Sequence, residues 1–432
     1  MNISPKTVVL SIALFTIQFG FCRNQIPALQ KKGNTTQLVV EGKPFFIFGG
    51  ELGNYSTTTM ENKQPIWPKT CQTNEQKYPR DNNVEFLTKS QKDKLVKELN
   101  QTALKLSNHL LSSPKYMKYE TSFLNSIHYA EVCAAYGVSK FAQQTYNTSL
   151  MLKLLERYKP LQKDSIAWRT NHVDGNVYGV LPLQFYQYTK DKNYLEHGLF
   201  MANSQWKDTL PDGMTSQTRY WIDDVFMVSS LQINAYQATK NQKYLDNAAL
   251  FTAKYIDSLQ QKNGLFFHGP KAPIHWGRGN GWMAAGMAIT LSELNKNHKY
   301  YPTILKGYKN MMETLVNYQN TNGMWKQIVD MPNSWDESSC TAMFAYARST
   351  GINKGILTDK KYKEAVLKAW NALKVKINEK GELSDVCVGT GQSSDVNYYL
   401  NRPKTSGDFH GQAPLLWLIG SMLQDAPLVY FF

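Results

Sequence analysis

The 432-residue chain has little cysteine: Cys22, Cys71, Cys133, Cys340 and Cys387, with no two close enough for a metal-ligand spacing. That excludes a zinc ribbon and a dense disulfide scaffold, and leaves room for one or two bridges at most. Acidic residues are also short, 34 against 48 Lys and Arg, for a net charge of +14. No run of lysine and arginine and no basic–aromatic repeat accompanies the excess, so a nucleic-acid surface is not indicated. A diffuse positive field suits acidic ligands, and a merely basic surface explains it equally. The glycine spacing of a phosphate or dinucleotide loop is missing as well. Past residue 22 no apolar run is long enough to cross a membrane.

Residues 1–22, "MNISPKTVVLSIALFTIQFGFC", carry Lys6 and then an apolar run of the length of a secretory h-region. The chain is therefore expected to be exported, to a periplasm or the exterior. Anchoring of a lipid at Cys22 ranks second, because Phe21 is bulky where a small residue is wanted. Residues 23–82 read as an extension. Within it, 36–50 alternate like strands around Gly42-Lys43-Pro44, and 52–82 are rich in Thr, Asn, Gln, Lys and Pro, as in a linker. Residues 83–432 form the main domain.

Aromatics are plentiful there, and the chain as a whole has 25 Tyr and 10 Trp. Flat rings in such numbers suit a core, and equally a cleft that stacks on sugar faces. A repeat organises this domain. "YQYTKDKNYL" at Tyr186 returns as "YQATKNQKYL" at Tyr236; "NKNHKYY" (295–301), "LTDKKYKEA" (357–365) and "YGVSKFAQQ" (136–144) are weaker copies. Each is a polar turn between two amphipathic stretches, so the repeating unit is a helical hairpin. Five or six hairpins can close into an all-α toroid, with apolar inner helices such as 226–236 and 282–294 and charged outer ones. The long linkers with Gly and Trp fall on the opposite side from the repeated turns, which gathers them on one face, where function concentrates.

Those linkers carry the candidate chemistry. Asp223 and Asp224 head an apolar helix beside Trp221 and Phe226. One of them is explained as an N-cap; the other is not. Asp174, one repeat earlier, enters its own inner helix in the same way. Adjacent hairpins would bring Asp174 and Asp223 to one ligand, where a neighbouring charge and an apolar wall raise a carboxyl pKa. The stretch "HWGRGNGW" (275–282) adds Trp276 and Trp282 as stacking faces, Arg278 as a planar fork for a carboxylate, and glycines for positive φ or close approach to a ligand. The bland reading is a glycine turn with two packed tryptophans.

Six stretches in order, "KYETSF", "HVDG", "YWIDDVFM", "HWGRGNGW", "DESSCTAMFAYARSTGINKG" and "GDFHGQAPLLWL", resemble the unsaturated uronyl hydrolases of glycoside hydrolase families 88 and 105 over residues 95–425. The resemblance implies an (α/α)6 barrel. It implies Asp223 as general acid/base, Asp174 as a second carboxylate, and Tyr119, His268, Trp276, Arg278, Asn280 and Trp282 around the sugar. Asp408 and His410 take a supporting role. The implied reaction hydrates the C4=C5 double bond of an unsaturated uronic acid on a lyase-generated, pectic (rhamnogalacturonan-type) oligosaccharide. It needs no cofactor and no metal. By contrast, 36–54 is similar to the opening strand of β-galactosidase-type (β/α)8 enzymes. A hydrolase of saturated uronides, a toroidal lyase or epimerase, and a non-catalytic glycan-binding protein stay open as alternatives. Acidic oligosaccharide is the expected partner in each; protein partners are not indicated.

Overall fold

The computed structural model describes residues 28–32, 35–40, 43–44, 87–120, 125–162 and 170–424. The chain divides into two units, Met1–Asn83 and Val84–Phe432. In the first, β1 (Ala28–Lys32), β2 (Thr35–Val40) and β3 (Lys43–Pro44) form an antiparallel sheet in sequence order, with Leu29 opposite Leu38 and Val40 opposite Lys43. A strand precedes the expected one, and Pro44 sits on the edge strand, where proline is tolerated. The leader at 1–22, Cys22, Cys71, the linker at 52–82 and the remainder of the β-galactosidase-like stretch lie outside the described residues.

The second unit is helical. Outer helices are α1 (Lys89–Ser112), α3 (Thr148–Tyr158), α6 (Lys192–Gln205), α8 (Gln242–Leu259), α10 (Tyr301–Asn317) and α12 (Lys360–Lys374). They alternate with inner helices α2 (Tyr129–Gln144), α5 (Val180–Thr189, preceded by the single turn α4, Val173–Asn176), α7 (Asp224–Thr239), α9 (Gly277–Glu293), α11 (Ser338–Asn353) and α14 (Phe409–Leu423). The short α13 (Val396–Leu400) lies in the last long loop. Each inner helix packs on the next, and α14 packs back on α2. The ring is closed: this is the (α/α)6 barrel.

Local chemistry explains the alternation. Residues 224–235 of α7 and 277–291 of α9 are buried without a break, as a helix apolar on all sides must be. In α12 only Tyr362, Ala365, Val366, Ala369, Trp370 and Leu373 are buried, one stripe at helical spacing. The repeated sequence is the inner-to-outer turn. Thr189 and Thr239 bond back to the carbonyls of Phe185 and Ala235, Lys190 and Lys240 take φ of 63° and 57°, and Asp191 and Asn241 cap the next helix. One copy is displaced. "YGVSKFAQQ" lies within α2, and the equivalent turn is Thr145-Tyr146-Asn147, with Tyr146 at φ 53° and Asn147 capping α3. The motif is a set of backbone jobs, so a tyrosine can stand in for the lysine and hide the match.

The long loops run from outer to inner helices. Their short hairpins, β4 (Lys118–Glu120) with β5 (Asn125–Ile127), β6 (Trp325–Lys326) with β7 (Asp336–Glu337), and β8 (Val386–Cys387) with β9 (Lys404–Thr405), are too brief to show as periodicity in the sequence. All six inner helices therefore turn their N-termini to the same mouth. Cys133, Cys340 and Cys387 are buried free thiols, so none of these three forms a bridge. Among the described residues no helix is long and apolar enough to cross a membrane.

Candidate active site at the mouth of the ring

The loop 206–223 brings Arg219 back onto the start of α7. Tyr220 takes φ 55°, unusual for an aromatic residue, and its N–H is held by the Tyr255 hydroxyl at 3.0 Å. Arg219 then spans two carboxylates. Its Nε donates to Asp224 Oδ1 at 3.0 Å, and its Nη2 reaches both Asp224 Oδ1 and, at 3.2 Å, Asp174 Oδ1. Its Nη1 lies 2.9 Å from His172 Nε2, and the guanidinium covers the Trp221 ring. Asp224 is fully buried and also accepts from the Tyr255 hydroxyl at 2.8 Å. It is the clamp that fixes Arg219.

Asp223 behaves differently. It makes no capping bond, contrary to the expectation that one of the pair caps α7. Its Oδ2 faces His268 Nε2 at 3.4 Å and has no hydrogen-bond partner closer than that contact. His268 is positioned from behind: its Nδ1 is 2.7 Å from the Tyr399 hydroxyl, which already accepts from the Ser393 N–H. Tyr399 thus fixes the ring with Nε2 turned toward Asp223. Loop pairing locks this arrangement, since the Ile222 N–H donates to the His268 carbonyl at 3.1 Å.

Asp174 and Asp223 do come together at Arg219, and the Asp223 charge acts on Asp174. The electrostatics correct one expectation. Burial pushes Asp223 up, but His268, Arg278 and Arg219 outweigh it and hold the carboxyl below its usual range. Burial raises Asp174, and the adjacent Asp223 adds to this; Arg219, shared with Asp224, does not cancel it. The raised carboxyls at the mouth are Asp174 and Asp224 rather than Asp223. The sequence revealed the neighbouring carboxylate and the apolar wall, but not the two arginines and a histidine that face Asp223.

The "HWGRGNGW" residues are at the site without being open to it. Trp276, Arg278, Asn280 and Trp282 are buried to within 1%. Arg278 lies on the Trp276 ring and donates to the carbonyls of Cys387 and Val388, so its fork binds protein backbone. Asn280 exchanges hydrogen bonds with the Phe266 backbone at 2.9 Å in both directions. Trp282 packs among Tyr129, Phe226 and Trp417. The expectation of direct sugar contact is corrected for all four: they are the wall and floor that set the loops. None of the three glycines has positive φ. A Cβ on Gly277 would lie 2.6 Å from the Lys326 carbonyl, and one on Gly279 2.8 Å from Ile222, so the close approach is to protein.

Tyr119 is half-buried, its ring stacked on His128 at 4.1 Å, and is reached by the charges of Asp174 and Asp223. His275 pairs with Asp330 at 2.7 Å and stacks on Phe267, away from the two aspartates. Residues that sequence reasoning left without a role are Arg219, Tyr129 and Tyr399. Arg219 alone gave a signal, a lone cation four positions before a pair of acids. Among the described residues no group of three or more His, Cys, Asp or Glu side chains is placed to hold a metal ion.

The model of glycosyl hydrolase family 88 matches residues 106–425. The chain belongs to that family. Among curated relatives, the unsaturated 3S-rhamnoglycuronyl hydrolase of Alteromonas sp. (strain LOR) is 29% identical over 38% of this chain and 43% of its own length. The unsaturated rhamnogalacturonyl hydrolase YesR of Bacillus subtilis (strain 168) is 26% identical over 49% and 61%. The chain thus matches about half the length of these relatives. Two solved structures share the fold. One, described as a possible member of family 105, from Salmonella enterica serovar Paratyphi A, superposes with a TM-score of 0.66 at 20% identity, covering 81% of this chain and 98% of its own. A family 88 structure from Bacteroides vulgatus gives 0.63 at 20% identity, covering 76% and 99%.

Proposed function

We propose that this family 88 protein is an unsaturated uronyl hydrolase, removing a 4,5-unsaturated uronic acid from the non-reducing end of oligosaccharides released by a lyase. The observation that carries it is Asp223, a carboxylate with an unpartnered oxygen at the mouth of the ring, backed by His268 and next to Asp174 on the single turn α4 that leads into the neighbouring inner helix. Family membership and the names of the relatives support the reading. Those names join a rhamnose and a uronyl unit, which supports a rhamnose-containing aglycone; of the two, the name of YesR, a rhamnogalacturonyl hydrolase, supports the pectic type.

The chemistry follows from the substrate. Its C4=C5 bond is a vinyl ether conjugated to a carboxylate. Asp223, protonated, gives its proton to C4, and positive charge develops at C5 and the ring oxygen. Water adds its oxygen to C5 and returns a proton to Asp223. The C5 hemiketal opens, leaving a ketone at C5 and a hemiacetal at C1, which collapses to an aldehyde and frees the aglycone alcohol. Ionised Asp174, held by Arg219, stabilises the developing charge. The low proton affinity of Asp223 is countered on binding, because the uronate brings a like charge beside it. Six helix N-termini facing the mouth favour that anion. Export, directed by residues 1–22, would place the enzyme where lyase products accumulate; fractionation of cells producing the full chain tests this.

The deciding experiment follows ultraviolet absorbance of lyase-digested pectin, and of a panel of other unsaturated uronides, with the protein and with Asp223→Asn. Hydration removes the conjugated chromophore. Loss with the wild type alone is expected. No loss on any member of the panel would sink the hydration reading and leave a saturated-uronide hydrolase or a glycan-binding protein.

A further inference from the structure

The end of the ring opposite the mouth is polar where a simple core would not be. Tyr129, Phe226 and Trp282 meet below the aspartates, with Trp417 stacked on Phe226, and close the lumen from above. Eleven positions further along the same three helices, about three turns, stand Lys140 of α2, Gln237 of α7 and Glu293 of α9. That spacing returns each side chain to the lumen face of its helix, about 16 Å beyond the aromatic floor.

In the ring order α2, α5, α7, α9, α11, α14, the helices α2 and α9 stand opposite each other. Lys140 and Glu293 therefore face one another across the axis. The charge of Glu293 acts on Lys140, yet the two form no ion pair, and among the described residues Lys140 has no hydrogen-bond partner. Lys140 is exposed to water while burial draws its ammonium down. A side chain both wetted and desolvated sits in a recess rather than on a convex surface. Glu293 accepts from Gln237 Nε2 at 2.9 Å. Tyr136, one turn above Lys140, is within electrostatic reach of Glu293 and of Tyr346 of α11, whose ring lies 5.7 Å from Trp417. Gln143, Gln184 and Asn234 join α2, α5 and α7 at this end by side-chain hydrogen bonds of 2.9 Å and 2.5 Å.

Closure of the ring does not ask for this. Recessing a charge of each sign without pairing them costs free energy that apolar or amide side chains would avoid. A merely water-filled base leaves Lys140 without a reason, since an amide would hold the same water. The recess presents an ammonium on one wall, a carboxylate–amide pair on the other, and two phenols. An ammonium without an anion suits a carboxylate. A carboxylate beside an amide both accepts from and donates to neighbouring hydroxyls, and tyrosine rings pack on a sugar face.

We infer that the base of the ring is a second binding site, for a small hydroxylated carboxylate such as a monosaccharide acid, with Lys140 reading the carboxylate and Glu293 and Gln237 the hydroxyls. The aromatic floor separates it from the mouth. It goes beyond the reaction proposed there, needing neither an unsaturated bond nor Asp223.

The test is calorimetric titration of the full chain with D-galacturonate, beside galactose and inorganic phosphate, for the wild type, Lys140→Met, Glu293→Gln and Asp223→Asn. Thermal melting of each unliganded variant controls for folding. Galacturonate should bind the wild type saturably and raise its melting temperature, as a ligand held only by the folded state does. Lys140→Met is expected to weaken that binding by about tenfold or more and Glu293→Gln by several-fold, whereas Asp223→Asn should leave it intact. Galactose and phosphate should each bind much more weakly, because each lacks half of the recognised chemistry. The inference is overturned if the wild type shows no saturable galacturonate binding, or if Lys140→Met binds as the wild type does. Loss in Asp223→Asn alone would place the ligand in the mouth and overturn it too. Phosphate bound as tightly as galacturonate would reduce the base to a general anion recess, against the inference. Should Lys140→Met fail to fold, the Glu293→Gln titration and the wild-type NMR signal of the Lys140 ammonium decide in its place. That signal should shift on adding galacturonate, and an unmoved signal overturns the inference.

Discussion

At the scale of single residues, the mouth of the ring crowds three carboxylates, Asp174, Asp223 and Asp224, around Arg219. Removing the shared cation leaves buried charge uncompensated. Arg219→Met should therefore destabilise the protein by about 3–5 kcal/mol in chemical denaturation, besides abolishing activity. Asp174→Asn should act the other way on stability. A carboxyl raised in the folded state binds its proton more tightly there than in the unfolded chain. Its cost is complete above the folded pKa and is relieved as pH falls through it. The neutral amide escapes that cost, so Asp174→Asn is expected to raise the melting temperature at neutral pH while losing turnover. Asp223 has the opposite sign: its lowered carboxyl contributes stability above the unfolded value, lost as pH falls through the folded one. If Asp223 must be protonated to act, kcat/KM should fall steadily as pH rises above the ordinary carboxylate range. The corresponding limb in kcat should lie at higher pH, because bound uronate raises Asp223. A kcat/KM that rises with pH between 5 and 7, about one to three units above a normal carboxylate, would assign the proton to another group.

At the scale of elements, the start of α9 shows how glycine serves a site it does not touch. The helix enters so close to its neighbours that side chains at Gly277 and Gly281 would collide. At Gly277 the obstacle is the Lys326 backbone carbonyl at 2.6 Å, while at Gly281 it is the flexible Met343 side chain at 2.5 Å. Gly277→Ala should accordingly cost more than Gly281→Ala, at the upper end of about 1–3 kcal/mol for overpacking, as read by melting and denaturant midpoints. Equal costs would mean that the β6 strand yields as easily as a methionine. This element was half legible in the sequence. Glycine and tryptophan density marked it as special. That the glycines admit neighbouring protein rather than ligand followed only from the Lys326 and Met343 contacts.

At the scale of the whole molecule, closure depends on side chains that meet across the ring. Trp417 of α14 donates its indole N–H to the Cys133 carbonyl of α2 at 3.0 Å, and its ring stacks on Phe226 at 4.5 Å and lies near Trp282 and Tyr346. One residue thus ties the last inner helix to the first and fills the floor beneath Asp223. Trp417→Ala is expected to cost about 3–5 kcal/mol. It should lower the denaturant midpoint of the whole helical unit in one transition, since a ring opened at its seam loses its closing contact.

The sequence by itself determined the toroid, its repeat and its list of chemical groups. Buried inner helices and striped outer ones are patterns of local periodicity, and the Thr-Lys-Asp turn specifies its own backbone. It also marked Asp174 and Asp223, because a second acid against an apolar wall has no local use once a cap is counted. Only the tertiary structure decided which groups face which. Arg219 joins Asp174 to Asp224, Tyr399 holds the His268 ring against Asp223, and His410 reaches Tyr129 across 281 positions of chain. Partnership and burial set proton affinity and access, and both are properties of neighbours in space. For that reason the pKa order of the two aspartates, and the retreat of Trp276, Arg278, Asn280 and Trp282 into the wall, had no signature in the order of residues.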